Sequence, residues 1–308
     1  MNPLLTAFAT FAFAALTACV TAAPLHFDPA QIRPYTFALE SQKHLESPYV
    51  AKYEHDGKLL LYVASQHLAV EKYPDLLQHP TLKTTAALFA EYRPQVVIVE
   101  GIDTGAEVSP PKLVKHADEC AASAYRQCGE SFFAINAARK AGAAFVSGEP
   151  KSTEVRDQLV AAGYTAEDLL GFYLVRQIPQ LRRQASFDPK TFPGVADAHL
   201  LRFQEQIGTK LAFDYVAFTA WYAKHMTDPK SVLDVTNDTP APHGGPDATY
   251  VQKISNQVGV IRDRSVVERI GAMFAKYDRV LVVYGGSHLI TQEPAFLPLG
   301  APSYFRVP

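Results

Sequence analysis

The sequence predicts an α/β protein with three layers, a mainly parallel central sheet and helical insertions. Three observations carry that prediction. Short apolar runs recur as KLLLYVA (58–64), QVVIVE (95–100), AAFVS (143–147) and VLVVY (280–284), the continuous pattern of strands buried on both faces. Stretches with an apolar stripe at helical spacing lie between them. The first two runs are joined by one such helix over about forty residues, which predicts a right-handed βαβ unit with parallel strands.

Taken in order, residues 4–18 (LLTAFATFAFAALTA) are apolar and uncharged but too short to span a bilayer. They read as the core of a signal peptide. Leu16-Thr17-Ala18-Cys19 follows as a bacterial lipobox, making residues 1–19 a lipoprotein signal and Cys19 the lipidated residue. The rival is ordinary cleavage near Ala22 or Ala23. Either implies export to the bacterial cell envelope; the lipobox implies a lipid anchor in the periplasm, on the outer membrane, as the only membrane contact. Residues 20–50 read as tether and lead-in, and 51–308 as a single domain with insertions near 104–130 and 186–250.

Pro74–Tyr92 is expected to be helical, with Leu82, Ala86, Phe89 and Ala90 on one stripe. Residues 104–130 look like an irregular surface insertion. Within it Cys120 and Cys128 form an even pair, which in an oxidising compartment reads as a local disulfide; metal binding with His116 is the lesser alternative. Helices are expected at Ser131–Ala141, over Thr153–Arg183 with a split near Gly163, and at His199–His225. The aromatic residues Phe203, Phe218 and Trp221 of the last read as core rather than a cofactor box. Residues 186–197 and 227–249 read as loops, the second long enough to be a lid or binding loop. A final helix, Val258–Tyr277, feeds the strand at 280.

The chain of 308 residues is 48% hydrophobic with a formal charge of −2, so nothing in its charge supports nucleic-acid binding. The chemistry is expected where strands end. His67 follows the first run, Glu100 the second, Glu149 the third and His288 the last, after Gly285-Gly286. Each alone is explained as the start of a solvated loop. Four on one sheet edge are harder to dismiss, because carboxyl ends of parallel strands lie side by side about 5 Å apart and ligands collect beyond them. Two imidazoles with one or two carboxylates suit a divalent metal (His67, Glu100, Glu149, His288). The same set suits a metal-free base in which a carboxylate orients a histidine to activate water. Arg262-Asp263-Arg264 is expected at the start of the final helix. There Asp263 suits the helix dipole and the arginines do not. Arg262 is then read either as pointing into the site, towards a carboxylate or a developing oxyanion, or as half of a solvated pair.

In the order Ala-Ser-Gln-His (64–67), VVIVEG (96–101), RDRSVVERI (262–270) and VLVVYGGSHL (280–289), the chain resembles the TIKI/TraB superfamily. That pattern is a Gly-Thr-x-His strand end, a strand-end Glu, an Arg-Asp/Asn helix and a final Gly-x-x-His. The group also takes in erythromycin esterases and ChaN-like haem-binding lipoproteins. The likeness covers 58–103 and 258–290. It departs at Ala64-Ser65, where Gly-Thr is usual, and at Val267, where Met is common. It implies a hydrolase, peptidase- or esterase-like, acting on a peptide or small ester through His67, Glu100, Arg262 and His288. The alternative it implies is haem or iron binding without catalysis, for which His225, His243 or a surface tyrosine would be axial ligands. A third expectation is an envelope protein on a relic enzyme scaffold, binding a peptide or glycan.

Overall fold

The computed structural model describes residues 25, 27–68, 72–126, 128–184 and 186–308. The signal-peptide and Cys19 readings fall outside these residues. Among the described residues, no helix is long and apolar enough to cross a membrane.

After a short helix α1 (Phe37–Glu40) come strands β1 (Tyr49–His55) and β2 (Lys58–Ser65), helix α2 (Pro80–Tyr92), β3 (Val96–Val99), α3 (Pro111–Ala122), α4 (Glu130–Lys140) and β4 (Ala144–Ser147). Helices α5 (Ser152–Ala161), α6 (Ala166–Arg182), α7 (Phe192–Gln206), α8 (Tyr215–His225) and α9 (Tyr250–Lys276) follow. The chain closes with β5 (Arg279–Gly285), α10 (Gly286–Gln292) and β6 (Ser303–Phe305).

The six strands form one mixed sheet in the order β4-β3-β5-β2-β1-β6. β4, β3, β5 and β2 are parallel; β1 and β6 add an antiparallel edge. Alternation along β5 shows how one strand serves both faces. Val280, Val282 and Tyr284 join one core with the second half of α9, while Leu281 and Val283 join another with α2, α3 and α4. Helices therefore cover both faces, an arrangement compatible with three layers. Each fully buried Val or Leu contributes about 1.5–3 kcal/mol relative to exposure.

Several expectations are corrected. β2 and β3 do run parallel, but they are not neighbours: β5 is inserted between them, so the first βαβ unit spans a gap filled by the chain's last parallel strand. Residues 20–50 are more than a tether, since β1 begins at Tyr49 and pairs along all of β2. The turn between them, Asp56 (φ 49°) and Gly57 (φ 75°), takes the left-handed backbone that an Asp-Gly hairpin favours. Residues 104–130 contain the regular helix α3, packed on α4, and Cys120 at its end is bridged to Cys128. The expected helix 199–225 is two helices: α7 begins earlier, at Phe192, and stops at Gly208 (φ 64°), and Asp214 caps a separate α8.

Helices α5 to α8 and the first half of α9 share one aromatic-rich core that includes Phe172, Phe192, Phe218 and Trp221. Gly171 lets α6 approach the Trp221 ring, whose indole N–H donates to Asp168 at 2.9 Å. A Cβ at position 171 would lie 2.6 Å from that ring. Gly171→Ala is thus expected to lower stability by about 1–3 kcal/mol through overpacking, despite alanine's ~1 kcal/mol advantage in a helix. Urea unfolding reads this directly, and an equally stable variant would contradict it.

Helix α9 belongs to two cores. Val251–Ile261 packs in the helical cap and Val266–Phe274 on the sheet. Arg262 and Asp263 fall between the two, facing the carboxyl edge of the sheet.

Candidate active site

Strand register sets the site. Ser65 pairs with Gly285, Val283 with Val99, and Val99 with Ser147, so the four parallel strands end together. The residues after them come out in the lateral order His67, His288, Glu100, Glu149. Gly285 permits the close approach: a Cβ there would lie 3.3 Å from Glu100 Oε2 and 3.7 Å from His67 Nε2, and 3.5 Å from the His288 ring. His67, Glu100, Arg262 and His288 line one cavity of about 410 Å³.

Each imidazole is held by its own carboxylate. His288 Nδ1 meets Asp263 Oδ1 at 2.6 Å, and Asp263 also accepts from Thr291 Oγ1 and Gln292 Nε2, both at 2.7 Å. Its Nε2 lies 3.6 Å from Glu100 Oε1. His67 Nδ1 meets Glu130 Oε1 at 2.7 Å. The His67 side chain is 71% exposed at the cavity mouth and Glu130 only 6%. Among the described residues, His67 Nε2 has no hydrogen-bond partner.

Arg262 ties the carboxylates together. Its Nε and Nη2 donate to Glu149 at 2.7 and 2.6 Å, a bidentate pair, and Nη2 also donates to Glu100 at 3.1 Å. Glu149 accepts further bonds from Gly101 N–H and the Tyr284 hydroxyl. Glu100 accepts from Gly285 N–H at 2.7 Å. The carboxylate that Arg262 grips is thus the protein's own. This guanidinium is a positioning group, its Nε–Nη2 fork occupied by Glu149. Nor is Arg262 at a helix start: α9 begins at Tyr250, opened by a capping box between Thr249 and Gln252, and Arg262 and Asp263 are interior residues. Neither residue therefore meets the dipole of a helix N-terminus.

Charges follow from this geometry. Burial opposes ionisation of Glu149, but the Arg262 charge and hydrogen bonds outweigh it and hold the carboxyl down to about 2. Burial likewise opposes ionisation of Glu100, yet His288 and Arg262 keep it below the usual range. For His288, burial works against the charged ring and Asp263 more than compensates, so its pKa is raised. The Glu130 hydrogen bond raises His67 to about 9. Near pH 7 the cluster therefore holds ionised Glu100 and Glu149 and a protonated His67.

Comparison with family models, curated proteins and solved structures returns no match. The site is thus read from its own geometry.

A divalent cation does not fit this donor set. Among the described residues, no group of three or more His, Cys, Asp or Glu side chains is placed to hold a metal. Glu149 has both oxygens committed to Arg262, Tyr284 and Gly101, and Glu100 has both committed to Arg262 and Gly285. Two of the expected haem ligands already have neighbours within the protein. The His225 ring stacks on Tyr250 at 4.1 Å, and the buried His243 bonds Asp247 through Nε2.

Sequence reasoning placed His67, Glu100, Glu149 and His288 on the correct edge and missed Glu130, the orienting role of Asp263, and Arg176. Asn237, Pro240, Ala241 and Pro242 from the long loop line the cavity, as a covering loop would. The other wall is α6, through Phe172, Arg176 and Gln180.

Proposed function

We propose that the protein is an exported, lipid-anchored hydrolase, peptidase- or esterase-like, that activates water without a metal. One observation carries the reading: two imidazoles, each backed by a buried carboxylate, turn their Nε2 atoms towards one cavity with an ionised glutamate between them. A base oriented by a third group is the recurring requirement of general-base catalysis.

In this reading His67 is the base. Glu130 holds its Nδ1–H, leaving the unpartnered Nε2 to take a proton from water as the water oxygen attacks an acyl carbon. The same proton passes to the leaving amine or alkoxide when the tetrahedral intermediate collapses. Asp263 and Glu100 favour the charged form of His288, whose Nε2–H then stabilises the developing oxyanion. Arg262 and Glu149 brace Glu100. A cavity of about 410 Å³ suits a short peptide or small ester. The resemblance of the four motifs to the TIKI/TraB group points the same way.

The test is a screen of the purified protein against peptide and ester libraries, with metal content measured in parallel. Hydrolysis is expected to persist, within about twofold, after exhaustive chelation, because none of the acting groups is a metal ligand. Activity abolished by chelation and restored by one divalent cation would overturn the metal-free mechanism. No turnover of any ester or peptide would overturn the hydrolase reading.

A further inference from the structure

Helix α6 carries a polar stripe beside the site, in which Tyr173 packs on Phe203 and Gln177 Nε2 donates to Gln180 Oε1 at 3.1 Å. Tyr173, Arg176, Gln177 and Gln180 stand at i, i+3, i+4 and i+7, one face of a helix. They are exposed or half-exposed, whereas Leu169, Leu170, Phe172, Leu174, Val175, Ile178 and Leu181 are buried. The stripe faces inward on the site. Arg176 and Gln180 line the cavity of His67 and His288, and all four line a second cavity of about 380 Å³ beside it. Arg176 and Arg262 border both spaces.

Arg176 differs from Arg262 in one respect. The carboxylates near it are already matched: Glu149 and Glu100 by Arg262, and Asp103 by the Ser152 N–H at 2.9 Å and its hydroxyl at 2.5 Å. Among the described residues, the Arg176 guanidinium has no hydrogen bond or ion pair. Arg262 sets a like charge beside it, and Glu100 and Glu149 are close enough to act on it through space. A guanidinium held in a cleft beside another cation, with its full fork of donors open, is arranged to receive an anion from outside.

We infer that Arg176 is a specificity residue that binds a carboxylate of the substrate, with Gln177 and Gln180 donating to the adjoining amide or ester groups. The substrate is then an acidic acyl compound or a peptide with a free carboxyl end. It lies along α6, its carboxylate in the second cavity and its scissile carbonyl beside His67. The position of the scissile bond rests on the hydrolase reading; the carboxylate site does not.

The experiment separates the two. The full protein is titrated with N-acetyl-alanyl-alanine and with its C-terminal carboxamide, by calorimetry or ligand-observed NMR. Hydrogen bonds to a charged partner contribute about 1.5–3 kcal/mol, so the acid is expected to bind at least about tenfold more tightly than the amide. Arg176→Ala should abolish that preference and Arg176→Lys keep part of it. His67→Ala should leave the preference intact, whatever it does to turnover. Arg176 is exposed, and unchanged circular dichroism and urea midpoint will show that its variants fold. Equal binding of the two probes, binding of neither, or a preference that survives Arg176→Ala overturns the inference.

Discussion

Arg262→Ala is expected to destabilise the fold by about 3–5 kcal/mol at neutral pH, the cost of removing one partner from a buried ionic cluster. The wild-type guanidinium holds two carboxylates with only a small part of their side chains exposed, 9% for Glu149 and 11% for Glu100. Without it, both must be buried unmatched, take up protons, or draw in water. Arg262→Lys should recover only part of the loss, because an ammonium group does not reproduce the bidentate contact with Glu149. The pH dependence carries the sign. Glu149 falls from 4.5 to about 2 in the folded protein, so its stabilisation is fully present above about 4.5 and disappears as pH drops towards 2. The gap between wild type and Arg262→Ala should therefore narrow on acidification. Urea titrations at pH 7 and pH 3 measure it, and a gap of less than about 1 kcal/mol at pH 7 would show that Arg262 is not the clamp described.

Hydrolysis should rise with pH and level off only near pH 9. The base form of His67 is the neutral ring, and the Glu130 hydrogen bond lifts its pKa to about 9. At pH 7 on the order of one ring in a hundred is then neutral. Glu130→Gln removes the charge that favours the protonated ring, so the ascending acidic limb of kcat/KM should move towards the ordinary histidine value of 6.5. His67→Ala should lower kcat by about 10²–10⁴ with little change in binding, the usual range for a lost general base. His288→Ala should reduce kcat as well, but its pH profile should keep the limb assigned to His67. If His67→Ala leaves both rate and profile unaltered, another group abstracts the proton.

How much of this was readable beforehand differs from element to element. The apolar runs 58–64, 95–100, 143–147 and 280–284 are all strands, and the polar residue after each stands at the common edge. The Asp56-Gly57 hairpin and the Thr249–Gln252 capping box were local signals that, used, would have revealed β1 and the true start of α9. The polar stripe of α6 was readable too, as a break in an otherwise buried helix. The pairing of His288 with Asp263 leaves no comparable local mark, nor does that of His67 with Glu130, 63 positions away.

What the amino-acid order by itself determined is periodicity and termination: where strands run, where they stop, and which ionisable residue follows. Those properties depend on neighbours within a few positions, through side-chain alternation, helical spacing and turn chemistry. Only the tertiary structure decided that β5 slides between β2 and β3 and that α9 joins two cores, so that Arg262 and Asp263 meet the strand ends. It also decided that Glu149 is consumed by Arg262 while Arg176 is left open. These are competitions among distant groups for the same buried hydrogen bonds. They are resolved when packing brings the groups within about 3 Å, the range over which such bonds form.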